Sequence, residues 1–344
     1  MSVVLSIIAA IVVFCLLILS HELGHFSMAK LVGIYVYDFS LGMGPKLLAF
    51  KGKETQYTLR LFPIGGHCLM MGEDEASDDE RAFNKKKVWQ RILVIVGGPA
   101  MNFVAAALIF ICLFMVAGFP FASSEIGEVL EGKAAEQAGI LSGDVIVEIN
   151  GQAIKTWNDI LPTVEADLLN ITLDRNGEII SYLVQPNYDE ESGRWMIGIL
   201  ASENPVYIRL NIFKAIGWGC KETFLFTKAL ILGLTGMATG SVQVTKDDVG
   251  GPVMIISMIV QFANSGLYQL LLFAAFLCMN LAVINLLPIP ALDGSRIIFL
   301  LVEGLRGKPI KPEREGMVHF VGLMLLFALM IFLTYNDILR LINK

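Results

Sequence analysis

Residues Val3 to Leu19 form an almost unbroken apolar run, and it leads into His21-Glu22-Leu23-Gly24-His25. Such a run is a candidate membrane span, because a helix needs about 20 apolar residues to cross a bilayer. In hydrocarbon every backbone N–H and C=O must be paired within the segment, which leaves the helix as its conformation. Ionisable groups there cost roughly 2.5–3.5 kcal/mol each on insertion scales and usually mark function. On a helix His21 and His25 stand at i and i+4, so one face presents two imidazoles. Glu22 lies one position on, within reach of a water held by an ion between them. Two histidines and a carboxylate in HExxH spacing are the zinc-protease arrangement. The plainer alternative is a polar contact inside a helix bundle. It is disfavoured because two of the chain's four histidines fall here.

Hydrophobic residues make up 55% of the chain and charged residues 17%, the balance of a membrane protein. The net charge of −6 is unevenly spread: 119–206 holds fifteen acidic and four basic residues, whereas 30–91 holds ten basic ones. Basic loops beside spans stay in the cytoplasm. No basic-aromatic surface suggests nucleic acid. Cys15, Cys68, Cys112, Cys220 and Cys278 are scattered without CxxC, which argues against a disulfide framework or a cysteine zinc site. The N-terminus lacks the basic start and cleavage pattern of a signal peptide, so it reads as a retained span.

Four segments are expected to span: Val3–Ala29, Val88–Gly118, Tyr268–Leu287 and Met317–Leu333. Between the first two, Tyr57, Leu59 and Leu61 alternate with polar residues. Pro63-Ile64-Gly65-Gly66 then turns the chain, and His67, Leu69 and Met71 alternate again. With Gly42-Met43-Gly44-Pro45 as a further turn, this region predicts a small β-sheet or hairpin pair dipping toward the membrane. Residues 125–205 read as an inserted soluble module of short strands, with Gly139 closing a short helix and Gly143-Asp144 turning into a buried strand. In 208–234, Lys214, Lys221 and Lys228 recur every seven residues, read as a basic stripe opposite Trp218, Phe224, Leu225 and Leu232. That pattern predicts an interfacial helix. Pro252–Phe262 is short for a span and is expected at the surface. The expected divisions are thus 1–118, 119–206, 207–266 and 267–344.

The third span ends in Asn280 to Gly294, NLAVINLLPIPALDG, where Pro288 and Pro290 stop a regular helix. Irregular backbone at membrane depth is tolerated where it lines a cavity or finds protein partners. Asp293 follows this break and offers a third ligand; a catalytic zinc takes three protein ligands and keeps one open position. With the 30–91 loop in the cytoplasm, the first and third spans both run inward. At about 1.5 Å per residue His25 and His21 then lie roughly 8 and 13 Å from Lys30, recessed near the cytoplasmic side. Asn102 reads as a helix–helix hydrogen bond and His319 as interfacial.

Taken together, HELGH, GMGP, PIGGHCLMMGE, the inserted module and NLLPIPALDG resemble the site-2 protease family, in its bacterial RseP/RasP group, over nearly the whole chain. The resemblance implies a multi-pass α-helical membrane protein of four transmembrane helices, with a membrane-associated β-hairpin region and one PDZ-like α+β domain. It implies regulated intramembrane proteolysis with Zn2+ on His21, His25 and Asp293, Glu22 as acid/base, and Asn285, helped by Asn280, holding substrate backbone. Gly65, Gly66 and His67 on a strand edge, with Pro288 in the broken segment, complete the expected substrate contacts. The implied partners are the lipid bilayer, single-pass membrane proteins (anti-sigma factors) or signal-peptide remnants, and a peptide C-terminus at the PDZ-like domain. The implied location is the bacterial cell membrane, with that domain outside the cytoplasm. Family members often have GFG where this chain has Gly42-Met43-Gly44, and GGYVKM where it has Gly65-Gly66-His67-Cys68-Leu69-Met70; these departures bear on substrate contacts. Two other readings are a metal-ion transporter, which predicts ligand-bearing repeats that are not seen, and an inactive PDZ scaffold, which the intact Glu22 opposes.

Overall fold

Four helices are long and apolar enough to cross a membrane: Ile7–Leu31, Val88–Val116, Leu267–Asn285 and Arg314–Arg340. They fall on the four expected segments. The computed structural model describes residues 3–73, 75–190, 193–242, 250–308, 310 and 312–342. In chain order it contains α1 (Val3–Leu31), β1 (Val36–Lys51), β2 (Gln56–Met70), α2 (Val88–Val116), β3 (Phe119–Ala122), β4 (Ile126–Val129), α3 (Ala134–Ala138), β5 (Val145–Ile149), β6 (Gln152–Ala153) and α4 (Trp157–Ile160). There follow β7 (Leu169–Arg175), β8 (Glu178–Val184), β9 (Asn187–Asp189), β10 (Arg194–Met196), β11 (Ile199–Ala201), β12 (Pro205–Ile208), α5 (Ile212–Thr239), α6 (Pro252–Ser265), α7 (Leu267–Asn285), α8 (Asp293–Arg306) and α9 (Pro312–Ile342). The chain divides into two units, Met1–Cys112 with Lys214–Lys344, and Leu113–Phe213.

In the helical unit, β1 and β2 are each bent on themselves and make a four-segment sheet. Residues 38–41 pair with 66–69 on one side and with 56–59 on the other, and 46–51 pair with 56–60 beyond. The bends fall at Gly42 (φ 89°) and Gly65 (φ 75°), conformations open to glycine at little cost. The outer edge of 66–70 has no ladder partner among the described residues.

Burial in this sheet does not follow hydrophobicity. Tyr57, Leu59 and Leu61 are exposed, as is Leu69, while Thr58, Asp38 and Ser40 are buried. Thr58 donates to Asp38 at 2.7 Å, and Arg60 Nε donates to Ser40 at 2.7 Å. The alternation was legible, but both faces of the sheet are partly buried: Asp38, Ser40 and Thr58 on one, and on the other Phe39 with its cross-strand neighbours Tyr57 and Cys68, where the Phe39 and Tyr57 rings lie 5.1 and 6.0 Å from that of Phe26 on α1. On the last segment Cys68 and Met70, not Leu69, pack inward, with Ile34, Val36, Val94, Ile95 and Leu300.

Helix α5 departs from the sequence reading. On α5, Lys221 Nζ lies 4.4 Å from the centre of the Trp218 ring. Lysines and Trp218, Leu225 and Leu232 are i, i+4 neighbours and share one face; the buried face is Ala215, Gly219 and Thr223. Helix α6 lies beside the long helices. It packs against α1, α7 and α9, with Ile259 fully buried. Its first backbone N–H groups are capped from another helix: Gly251 and Met254 donate to the buried Asp337 carboxylate at 3.1 and 2.9 Å.

The inserted unit carries a β6-β5-β7-β8 antiparallel sheet. Leu169, Ile171 and Leu173 alternate inward from β7 and meet Ile126, Ile140, Ile146 and Ile149 in one core. Gly139 closes α3 in the left-handed conformation, as its position predicted. Asp144 is buried; it accepts the Leu141 N–H at 2.8 Å and two Arg175 N–H groups at 2.7 Å. Burial alone raises this carboxyl, but the Arg175 and Leu141 hydrogen bonds outweigh it and hold Asp144 below the ordinary carboxylate range.

Candidate active site

The helical unit contains a cavity of about 390 Å³ lined by the HExxH residues on α1, the 66–70 edge of β2, Ile95 of α2, and Asp293 and Arg296 of α8. On α1 the i, i+4 spacing sets the His21 and His25 rings edge to face, with centroids 4.7 Å apart. Their Nε2 atoms approach to 3.2 Å. Asp293 begins α8, and its Oδ2 lies 3.3 Å from His21 Nε2 and 3.5 Å from His25 Nε2. Three side chains drawn from positions 21, 25 and 293 thus bring their donor atoms into one small triangle.

The triangle fits a metal ion. Ligands about 2.0–2.1 Å from one tetrahedral zinc stand about 3.3–3.4 Å from each other. Asp293 Oδ2 is buried without a hydrogen-bond partner, a costly state for a carboxylate oxygen that a cation would relieve. His25 Nδ1 lies 3.0 Å from the Val94 carbonyl of α2. An Nδ1–H donated there leaves the Nε2 lone pair facing the other two donors.

The loop between α7 and α8 delivers Asp293. Helix α7 stops at Asn285, ahead of Pro288 and Pro290. Ala291 adopts φ 76°, a strained value for a residue with a Cβ. His319 of α9 holds it there, accepting the Ala291 N–H on Nδ1 at 3.1 Å. His319 therefore supports the loop. A Cβ on Gly294 would stand 2.2 Å from the Leu287 carbonyl oxygen, so the turn closes only over glycine.

Of the other anticipated residues, Glu22 lines the cavity, and its Cγ would lie 2.9 Å from a Cβ on Gly66. Gly66 and His67 line it as well; His67 Nε2 also approaches Asp38 at 3.3 Å. Asn285 Nδ2 lies 3.5 Å from His21 Nδ1. Gly65 sits at the bend, Pro288 is exposed on the loop, and Asn280 is half-buried in α7; none of the three is among the cavity-lining residues.

Several residues at the site were not anticipated. A Cβ on Gly98 would stand 2.3 Å from His25 Nε2 and 2.9 Å from His21 Cε1. A Cβ on Gly24 would lie 2.0 Å from the Gly97 oxygen. Gly97-Gly98-Pro99 stands out inside a span, but which side chains approach it is not readable from the sequence. Asn102 bonds Ser20, as a helix–helix contact, and also lies 3.4 Å from His21 Nδ1. Glu73 and Arg296 line the cavity as an ion pair.

The fold and site define a multi-pass membrane protein whose His21, His25 and Asp293 form a group able to hold a metal ion. The sequence model of peptidase family M50 matches residues 9–329. A candidate zinc metalloprotease of Clostridium acetobutylicum is 39% identical over 98% of both chains. The regulator of sigma-W protease RasP of Bacillus subtilis is 32% identical over 98% of this chain and 99% of its own, and the zinc metalloprotease RasP of Geobacillus kaustophilus is 33% identical over 97% of each. A solved PDZ domain of an SdrC-like protein from Listeria innocua is similar to 24% of this chain and 96% of its own, at 21% identity and a TM-score of 0.22. The chain belongs to peptidase family M50 and is a bacterial membrane zinc metalloprotease of the site-2 type, a class that carries out regulated intramembrane proteolysis.

Proposed function

We propose that His21, His25 and Asp293 hold the zinc, that Glu22 is the acid/base, and that the substrate is an unwound membrane segment lying along the 66–70 edge. The observation that carries this reading is the convergence of three donor atoms on one point, with Asp293 Oδ2 otherwise unpartnered. When bound, zinc supplies Lewis acidity, polarising the scissile carbonyl and easing deprotonation of water at neutral pH. Glu22 takes the proton of the attacking water and returns it to the leaving amine. A helical substrate hides its peptide bonds, so it must unwind first. The unpaired edge of β2 then offers main-chain hydrogen bonds by strand addition. Asn285, near His21, steadies the substrate backbone from the other side.

The reading places the site near the cytoplasmic side and the inserted module outside the cytoplasm, on the strength of the basic 30–91 loop. Single-pass membrane proteins are the proposed substrates. The sigma-W name of the Bacillus relative favours anti-sigma factors, with signal-peptide remnants as a second class. The module is proposed to bind a peptide C-terminus or to exclude bulky substrates. The test is Glu22→Gln in the purified protein with a tagged single-span substrate. Zinc content should persist while cleavage disappears; cleavage at the wild-type rate removes Glu22 from the chemistry.

A further inference from the structure

Arg296 stands one turn after Asp293 on α8 and lines the same cavity. Its Nη1 donates to Glu73, which follows the 66–70 edge past the turn at Gly72. Its Nε also lies 4.0 Å from Glu315 on α9. Glu315 in turn lies 3.7 Å from His319 Nε2, the side chain that fixes Ala291 just before Asp293. Farther along α8, Glu303 accepts from Arg91 of α2, in a pair whose side chains are only 16% and 11% exposed.

Asp293, Arg296, Leu300 and Glu303 follow 3, 4, 3 spacing, so they form one stripe of α8. Leu300 is buried between the two ionic anchors. The anchors therefore fix how α8 is rotated, and rotation decides where the Asp293 carboxylate points. Buried ion pairs add little net stability, because desolvation offsets their attraction, but they can fix one arrangement against others. No proton or electron-pair step of peptide hydrolysis requires the Arg296–Glu73 pair.

We propose that Arg296 is a positioning residue that ties the helix bearing Asp293 to the end of the substrate edge, so that ligand set and strand edge are held in register by one guanidinium. This rests on the reading of His21, His25 and Asp293 as zinc ligands and of 66–70 as the substrate edge. The test uses the full-length zinc-loaded protein in proteoliposomes, as wild type, R296Q, R296K, E73Q and R296Q/E73Q. Two quantities are read: the rate at which zinc is lost to a chelator, and kcat and KM on a tagged single-span substrate. R296Q should lose zinc faster and lower kcat, each by about ten- to hundred-fold, the usual effect of removing a group that orients a metal ligand, with KM little changed. R296K, which keeps the charge, should recover part of both, and the double variant should be no worse than R296Q. Wild-type zinc retention and kcat in R296Q overturn the proposal, as do losses in the two single variants that multiply in the double. Should R296Q fail to fold, R296K and E73Q carry the same comparison. A wild-type protein that neither retains zinc nor cleaves would instead overturn the ligand reading, which separates the two failures.

Discussion

At the scale of single residues, the candidate zinc site depends on a side chain that is missing. Gly98 leaves room for both imidazoles, and a Cβ there would fall 2.3 Å from His25 Nε2. The atom it would displace is the proposed ligand itself, so relief of the clash and loss of ligation are the same movement. Gly98→Ala is expected to leave a folded, membrane-inserted protein whose zinc affinity drops by about ten-fold or more, as elemental analysis after dialysis would show. Zinc content equal to wild type would mean that the ring moves without consequence. His21, Glu22 and His25 were legible because a helix makes i and i+4 neighbours wherever it occurs. Gly98 and His319 were not, because their roles depend on which helix lies beside them.

At the scale of elements, the β1–β2 sheet buries Asp38, Ser40 and Thr58 on one face and packs Phe39 and Cys68 inward on the other, while Leu59, Leu61 and Leu69 stay exposed. Alternation is fixed by the pleat, but the buried side is decided by the surroundings, and the sequence reading did not specify them. The same limit applies to α5, whose lysines share a face with Trp218. In the inserted unit, the β5 and β7 ends are joined by Asp144 and Arg175. The folded Asp144 carboxyl lies below its ordinary range, so the pair adds stability at pH above the unfolded carboxylate value and loses it as pH falls through the folded one. Asp144→Asn is therefore expected to weaken amide-exchange protection in β5 and β7 above about pH 5, with the difference from wild type shrinking below about pH 4. A constant difference over that range would assign the effect to shape rather than charge.

At the scale of the whole molecule, the inserted unit is a separate compact body, and the three candidate ligands all lie in the helical unit. Deleting Glu125–Pro205 should therefore leave zinc content intact. If the module excludes bulky substrates, the shortened protein will cleave full-length, untrimmed single-span substrates that the intact chain spares, as peptide mapping of the products would show. Unchanged selectivity would remove that role. The sequence by itself determined the spans, the helix break at Pro288 and Pro290, the inserted module and the identity of the three ligand candidates. Each of these follows from hydropathy, backbone chemistry or helical spacing within a short stretch of chain. Only the tertiary structure decided that Asp293 meets two histidines more than 260 positions earlier, that Gly98 makes room for them, and that Arg296 and His319 brace the loop between. Those are contacts between distant segments, and packing selects them after the local preferences are satisfied.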